Sequence, residues 1–475
     1  MKCTLLKMVL IFIFTNFVGM TVLAQTFPFP TKEQLAGVKI GELLFNSDSL
    51  KGYKVDYGIM IITESDANDS KTIELPVVRI HSKSKNPEYP VFYFEGGPGG
   101  TNIKLDNLPD SLLQNHDFVR VGYRGVDGSV SLNIPDFNQT LKETPNMLSH
   151  EGLIVLGDKI DKIAEELQKD EKIDLKEYNI ISVIDDTEKA RKELGYEKIN
   201  ISGGSYGGAV VYTYCVRYPK SIHRALLTEA AFPFNMALTK PSAIDAQLNH
   251  LNDLWKEKPE NLRRSPDIVQ TIRNVLKTLP KDWNGVTIDP DKIKLMTYFS
   301  LYTQAMTAQF FDAYIAAEKG DYNGLSRINQ FWNNVVDMFN WGDMIAKTYC
   351  TNTGEIEDFE AELNQKESVI GSPLALLGWG LRAQTDWPVK PLPEEYRRMQ
   401  NIDTETLLVY GSKESAKGII EDYLPFFKNG HIVYFDNLGH MDVGALEPGA
   451  SQYMEKMFFL KGIVDISKFK KADMR

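Results

Sequence analysis

The segment Lys198–Tyr214, KINISGGSYGGAVVYTY, places one serine among four glycines. Glycine stands where a backbone turns sharply, takes positive φ or lets another group approach closely. Before the serine, Ile199 and Ile201 alternate with polar residues as in a strand; after it, Ala209–Arg217 reads as a helix stopped by Pro219. The pattern predicts strand, strained turn and helix, with Ser205 at the apex of Gly203-Gly204-Ser205-Tyr206-Gly207. A G-x-S-x-G in that setting is a nucleophile elbow.

The rest of the chain fits such a sheet. Residues 38–94 hold short β-branched and aromatic runs, YKVDYGIMIIT, IELPVVRIH and YPVFYFEG, separated by turn-rich stretches. From about 150, helical spacing alternates with strands, which implies a mostly parallel α/β sheet. Between 236 and 395 the strand signal gives way to aromatic-rich helical sequence, and strand and helix resume with ETLLVYG and GHIVYFD. The expected fold is a mostly parallel sheet flanked by helices, with core residues 25–235 and 396–475 split by a helical cap at 236–395. The cap aromatics Phe310, Phe311, Trp332 and Trp341 read as cap core before specificity pocket.

Residues 1–24 combine Lys2 and Lys7, an apolar run and Val22-Leu23-Ala24, the pattern of a secretory signal. The run Met8–Leu23 is interrupted by Thr15 and Asn16 and is shorter than the ~20 residues a membrane span needs. The expectation is export to a periplasm or the cell exterior, without stable membrane insertion. A net charge of −11, with no basic block, argues against nucleic acid as a partner. Cys215 and Cys350 are the cysteines beyond the signal; they form no metal pattern, and pairing or free burial both remain open. No cofactor or metal motif occurs.

A serine hydroxyl needs an adjacent base and a third group to orient that base. His440, in FDNLGHMD just past a strand, is the best-placed histidine. Glu414 follows the strand TLLVYG in Gly-Ser-Lys-Glu, at a strand's carboxyl end, where sites of open α/β sheets collect. Asp436 and Asp442 are rivals that lie closer to the histidine in sequence. The developing oxyanion needs fixed N–H donors. Tyr206, next after the nucleophile, supplies one, and the loop Gly96-Gly97-Pro98-Gly99-Gly100 supplies the other, with Gly97 the first choice. G-x-S-x-G alone arises by chance in roughly one chain of this length in six or seven. The glycine loop upstream, with the acid and histidine downstream in order, makes coincidence a poor account.

At these residues the chain resembles the prolyl iminopeptidase and tripeptidyl aminopeptidase group of α/β-hydrolases, over most of its length. The group's GGPG loop appears at Gly96–Gly99, its Arg-Gly segment in YRGVDGS at 123–129, and its elbow at Gly203–Gly207. Its helix motif appears at Asp186, Glu188, Arg191, Leu194 and Gly195. The resemblance implies the α/β-hydrolase fold and release of residues or short peptides from free amino termini, and the large insert looks more like the tripeptidyl enzymes. Three positions depart from the pattern. Glu95 stands where histidine is usual, Gly122 replaces the acid of D-x-R-G and so removes an expected contact of Arg124, and Glu414 replaces the commoner aspartate.

An aminopeptidase must also hold the substrate's ammonium, for which an acid is the obvious means. Glu229, at the end of ALLTE, is the candidate; Asp312, Asp337 and Asp343 are weaker ones. The expected chemistry is thus a serine exopeptidase acting on short peptides through Ser205, His440 and Glu414. A carboxylesterase with the same triad, or an inactive binding protein of the same fold, stands as the alternative.

Overall fold

The computed structural model describes residues 27–67, 70–234, 236, 239–351, 367–413 and 417–470, and every structural statement below refers to these. The signal segment 1–24 and Glu414 lie outside them.

The strands are β1 (Leu43–Leu50), β2 (Tyr53–Thr63), β3 (Thr72–Ile80), β4 (Glu88–Phe94), β5 (His116–Val121), β6 (Ile199–Gly204), β7 (Ile222–Thr228), β8 (Asp282–Trp283), β9 (Val286–Thr287), β10 (Glu405–Gly411) and β11 (Gly430–Phe435). Nine of them form one sheet in the order β1-β2-β3-β5-β4-β6-β7-β10-β11, while β8 and β9 make a small hairpin. The pairs from β5 to β11 are parallel, and β1, β2 and β3 join antiparallel. The mostly parallel α/β sheet expected from the sequence is therefore present.

Period-2 alternation sorts side chains to the two faces. Leu408 and Tyr410 of β10 join one core cluster, with Ile180, Val183 and Val210 from the helices Ile180–Glu193 and Tyr206–Arg217. Leu407 and Val409 join the other, with Met454 and Phe458 from the helix Pro448–Lys461. Among the described residues between β7 and β10, all regular structure other than β8 and β9 is helical. This insert does not pack only on itself. Trp332, Trp341 and Phe310 share a core with Leu132, Phe137 and Leu156, from the segment between β5 and β6. Phe311 packs edge-on against Trp255 at 5.8 Å. All four aromatics are buried in core, as expected, but only Phe311 lies in the insert's own core, while Phe310, Trp332 and Trp341 lie at its junction with the segment between β5 and β6.

Strand β5, HDFVRV, is buried at all six positions, and the sequence reading did not single it out. His116, Asp117 and Arg120 hid it. Each is buried yet bonded: His116 Nδ1 to Tyr89 O, Asp117 to Ser82 N and Tyr196 Oη, Arg120 to Asn102 O and Glu95. Both cysteines are buried and free, which settles the open choice between pairing and free burial.

The β1–β3 ribbon carries a polar cluster of its own. Asp56 on β2 is almost fully buried, opposite Ser47 on β1 and Arg79 on β3. Burial pushes its carboxyl up, but hydrogen bonds from Ser47, Arg79 and His81 prevail and hold it at about 2. A carboxyl depressed in the folded state stabilises above its unfolded value near 4 and loses that contribution as pH falls through the folded one. Asp56→Asn is expected to cost about 1 kcal/mol at neutral pH, allowing for solvent screening around the cluster. In urea melts the gap to wild type should close between pH ~4 and ~2; a gap independent of pH would show that the charge contributes nothing.

Candidate active site

In this strand order the chain turns back on itself between β4 and β6: β5 lies on one side of β4 and β6 on the other. Open α/β sheets bind their ligands outside the strands' carboxyl ends at such a switch point. The carboxyl end of β4 runs into Glu95-Gly96-Gly97-Pro98-Gly99-Gly100, and that of β6 runs into Ser205. Phe94 pairs with Gly203 in register, so the glycine loop and the serine emerge side by side. A Cβ on Gly96 would lie 3.4 Å from the Ser205 Cβ.

Ser205 has φ 53° and ψ −121°, left-handed backbone that a non-glycine residue adopts at a cost of order 1–3 kcal/mol. Its surroundings hold it there. Ser205 N donates to Thr228 O at 3.1 Å, and its carbonyl accepts from Gly208 N and Ala231 N, both at 3.0 Å. Two glycines are obligatory by space: a Cβ on Gly207 would meet Phe94 O at 2.1 Å, and one on Gly208 would meet the Ala230 Cβ at 2.3 Å. The elbow thus presses its helix onto β4 and β7. Tyr206 opens that helix, where N–H groups have no intrahelical acceptor. Gly97 has φ 132° in the facing loop, and among the described residues no backbone carbonyl takes the Gly97 or Tyr206 N–H.

The glycine loop is pinned along its length. Glu95 N donates to Asn102 Oδ1, and Glu95 O accepts from Tyr123 Oη at 3.0 Å. Asp127 accepts from Thr101 Oγ1, Asn102 N and Tyr123 N, at 2.5, 3.0 and 2.8 Å. Glu95, at the position where histidine was usual, pairs with Arg120 and Lys104. Gly122 is glycine for want of room, since a Cβ there would lie 2.8 Å from the Asp127 Cβ and from Pro76. The contact of Arg124 expected to be lost is supplied from elsewhere. Its guanidinium binds Asp186 through Nε and Nη2, both at 2.7 Å, and donates to Glu64 O and Glu177 O. Glu188 and Arg191 pair in the same helix, and Tyr214 Oη donates to Glu188. The D-x-E-x-x-R motif is scaffolding.

The other loops come to the same edge. Gly411 ends β10 in register with Phe435, which ends β11. Beyond them Ser412 N donates to Phe435 O, Lys413 N to Leu438 O, and Asn437 N to Ser412 Oγ, at 2.9, 3.0 and 2.7 Å. The segment leading into Glu414 is therefore laced to the loop that carries His440. The His440 ring is half-buried and lies 4.6 Å, centroid to centroid, from Tyr302 of the insert. Asp442 is buried and occupied: its carboxylate accepts from Gly439 N and from Gln304 N, at the start of the insert helix Gln304–Glu318. Asp436 is exposed.

Glu229 follows β7 with φ 47°; it is buried, and its Oε1 accepts from Gly411 N at 2.5 Å. It thereby ties the end of β7 to the start of the segment that leads into Glu414. Asp312 and Asp337 are exposed and paired with Arg264 and Lys142. Asp343 is buried against the glycine loop. The sequence reading missed what Asn340, Asp343 and Lys347 do there; the start signal was legible, an asparagine cap with an acid three residues on, but not its target.

The family comparison bears on this geometry. Residues 89–437 match the alpha/beta hydrolase fold family. The chain belongs to that family. In this fold a nucleophile, an acid and a histidine occur in that chain order; along this sequence Ser205 follows β6, Glu414 comes after β10 and His440 after β11. Among solved structures, the chain is similar to esterase E22, at 10% identity over 85% of this chain and 100% of that one, TM-score 0.45. It is also similar to an esterase from Thermogutta terrifontis, at 11% identity over 85% and 98%, TM-score 0.38. A proline iminopeptidase from Mycobacterium smegmatis matches at 11% identity over 85% and 97%, TM-score 0.38. No curated protein matches the sequence.

Proposed function

We propose that this hydrolase is an exported serine exopeptidase that cleaves short peptides near a free amino terminus. The observation that carries the serine chemistry is the strained elbow at Ser205, held against the Gly96–Gly100 loop at the sheet's switch point. The peptidase reading is supported by the motif set shared with prolyl and tripeptidyl aminopeptidases.

In this mechanism Ser205 Oγ attacks the scissile carbonyl carbon while His440 takes the hydroxyl proton. The carbonyl oxygen becomes an oxyanion facing the Gly97 and Tyr206 N–H groups. Collapse breaks the C–N bond, His440 gives its proton to the leaving amine, and an acyl-serine remains. Water then attacks the acyl carbon as His440 takes its proton, and on collapse the bond to Ser205 Oγ breaks, His440 returning that proton to Oγ as the carboxylic acid product leaves. Glu414 orients the imidazole and stabilises its charged form. Glu229 is the proposed carboxylate for the substrate ammonium.

The test is a matched chromogenic panel: Pro-, Ala- and Ala-Ala-Pro-amides, each with a free and an acetylated amino terminus, and a short acyl ester. Amide cleavage that acetylation abolishes is the expected result, with Glu229→Gln raising KM for free-amine substrates about tenfold. Turnover of the ester alone, indifferent to any amine, would move the protein to the esterases and leave Glu229 with a structural role only.

A further inference from the structure

We propose that Asp343 of the helical insert is a positioning residue that sets the oxyanion-binding face of the Gly96–Gly100 loop. The inference rests on the serine-nucleophile reading above and adds to it: the insert completes the catalytic site instead of merely covering it.

Gly99 is gripped from both sides. Its N–H donates to Asp343 Oδ2 at 3.2 Å, and its carbonyl accepts from Asn340 N at 2.9 Å. The approach is close enough that a Cβ on Gly99 would lie 2.7 Å from Asn340 O. Asn340 is itself fixed. Its Nδ2 donates to Gly125 O and Ser131 Oγ, and its Oδ1 caps the helix Trp341–Tyr349 by accepting from Asp343 N at 3.0 Å.

Asp343 and Lys347 stand one helical turn apart, so both reach the same side of that helix. Their ion pair is 2.5 Å and both side chains are wholly buried. Lys347 Nζ also donates to Arg124 O at 3.2 Å and sits 4.9 Å over the Tyr123 ring, and Tyr123 holds Glu95 O at the loop's other end. Burial pushes the Asp343 carboxyl up to about 6, with the Lys347 ammonium opposing that shift.

A buried ion pair is weak evidence for stability, because well-packed apolar residues often replace such pairs at no loss. Its contacts say what else it does. The pair clamps Gly99, two residues from Gly97, whose N–H is the second oxyanion donor in the mechanism. Small displacements of such a donor are felt in the transition state more than in substrate binding.

The test compares wild type with two double variants, Asp343→Leu with Lys347→Met and Asp343→Asn with Lys347→Met. Neither leaves a buried charge without its partner, and the second keeps an acceptor for the Gly99 N–H. The readouts are thermal midpoint, kcat and KM on the best amide of the panel, and the rate of Ser205 labelling by a phosphonate. The Leu/Met variant should lose about 10- to 100-fold in kcat and in labelling rate with KM within about twofold, and the Asn/Met variant should recover most of that loss. A folded Leu/Met variant with wild-type kcat and labelling rate would overturn the proposal. Equal losses in both variants would also overturn it, by showing that the acceptor is irrelevant. If the Leu/Met variant does not fold, Gly99→Ala replaces it: its kcat should fall at constant KM, and an unchanged kcat would overturn the clamp. Wild-type protein that takes no label would sink the nucleophile reading, and the clamp proposal with it.

Discussion

Ser205→Ala is expected to lower turnover of any substrate by about 10⁴-fold or more, with no labelling by a serine-directed phosphonate. His440→Ala should lose about as much, and the double variant little more, because in the proposed mechanism nucleophile and base act as a unit. The folded state should survive both changes. Ser205 is held by backbone bonds, from its N–H to Thr228 and from its carbonyl to Gly208 and Ala231, none of which involves the hydroxyl. Alanine would sit in the same left-handed conformation and carry the same strain. The measurement is therefore kcat together with the thermal midpoint. Loss of activity with the midpoint unmoved assigns the chemistry to the hydroxyl. Activity that persists in Ser205→Ala would move the nucleophile elsewhere and favour a binding protein of this fold.

What was legible in the sequence was local. The elbow could be read because its cause lies within ten residues: a strand, a turn so tight that Gly207 and Gly208 have no room for a side chain, and a helix. The glycine loop after β4 was legible for the same reason. Strand β5 was not, because its buried His116, Asp117 and Arg120 look like surface residues until their partners on other elements are known. Arg124 shows the limit of motif reasoning. The missing acid at 122 implied a lost contact, yet Asp186, which the chain reaches only after two more helices, binds the guanidinium with both oxygens. The Asn340–Asp343–Lys347 clamp was beyond reach altogether, since its target lies about 240 positions upstream and only the fold brings them together.

The acid of the proposed triad is the second large effect. Four carboxylates follow β7, β10 and β11 in the chain, and the surroundings of the three described ones, Glu229, Asp436 and Asp442, narrow the choice. Asp442 spends its carboxylate on two backbone N–H groups and joins the histidine loop to the insert; burial raises its carboxyl, with those N–H bonds opposing. Asp436 is exposed, and Glu229 accepts from Gly411 N. Glu414 follows Lys413, whose N–H is bonded to Leu438 O, two residues before His440. Glu414→Ala is accordingly expected to reduce kcat about 10³- to 10⁴-fold at nearly constant KM, because an imidazole without its acid loses both orientation and charge stabilisation. Asp442→Asn keeps an acceptor for Gly439 and should cost less than about tenfold. It should instead lower the thermal midpoint by a few degrees, as the insert loosens from the histidine loop. The reverse ranking, with Asp442→Asn the more damaging to kcat, would transfer the role to Asp442 and make the segment after β10 a scaffold for the histidine loop alone.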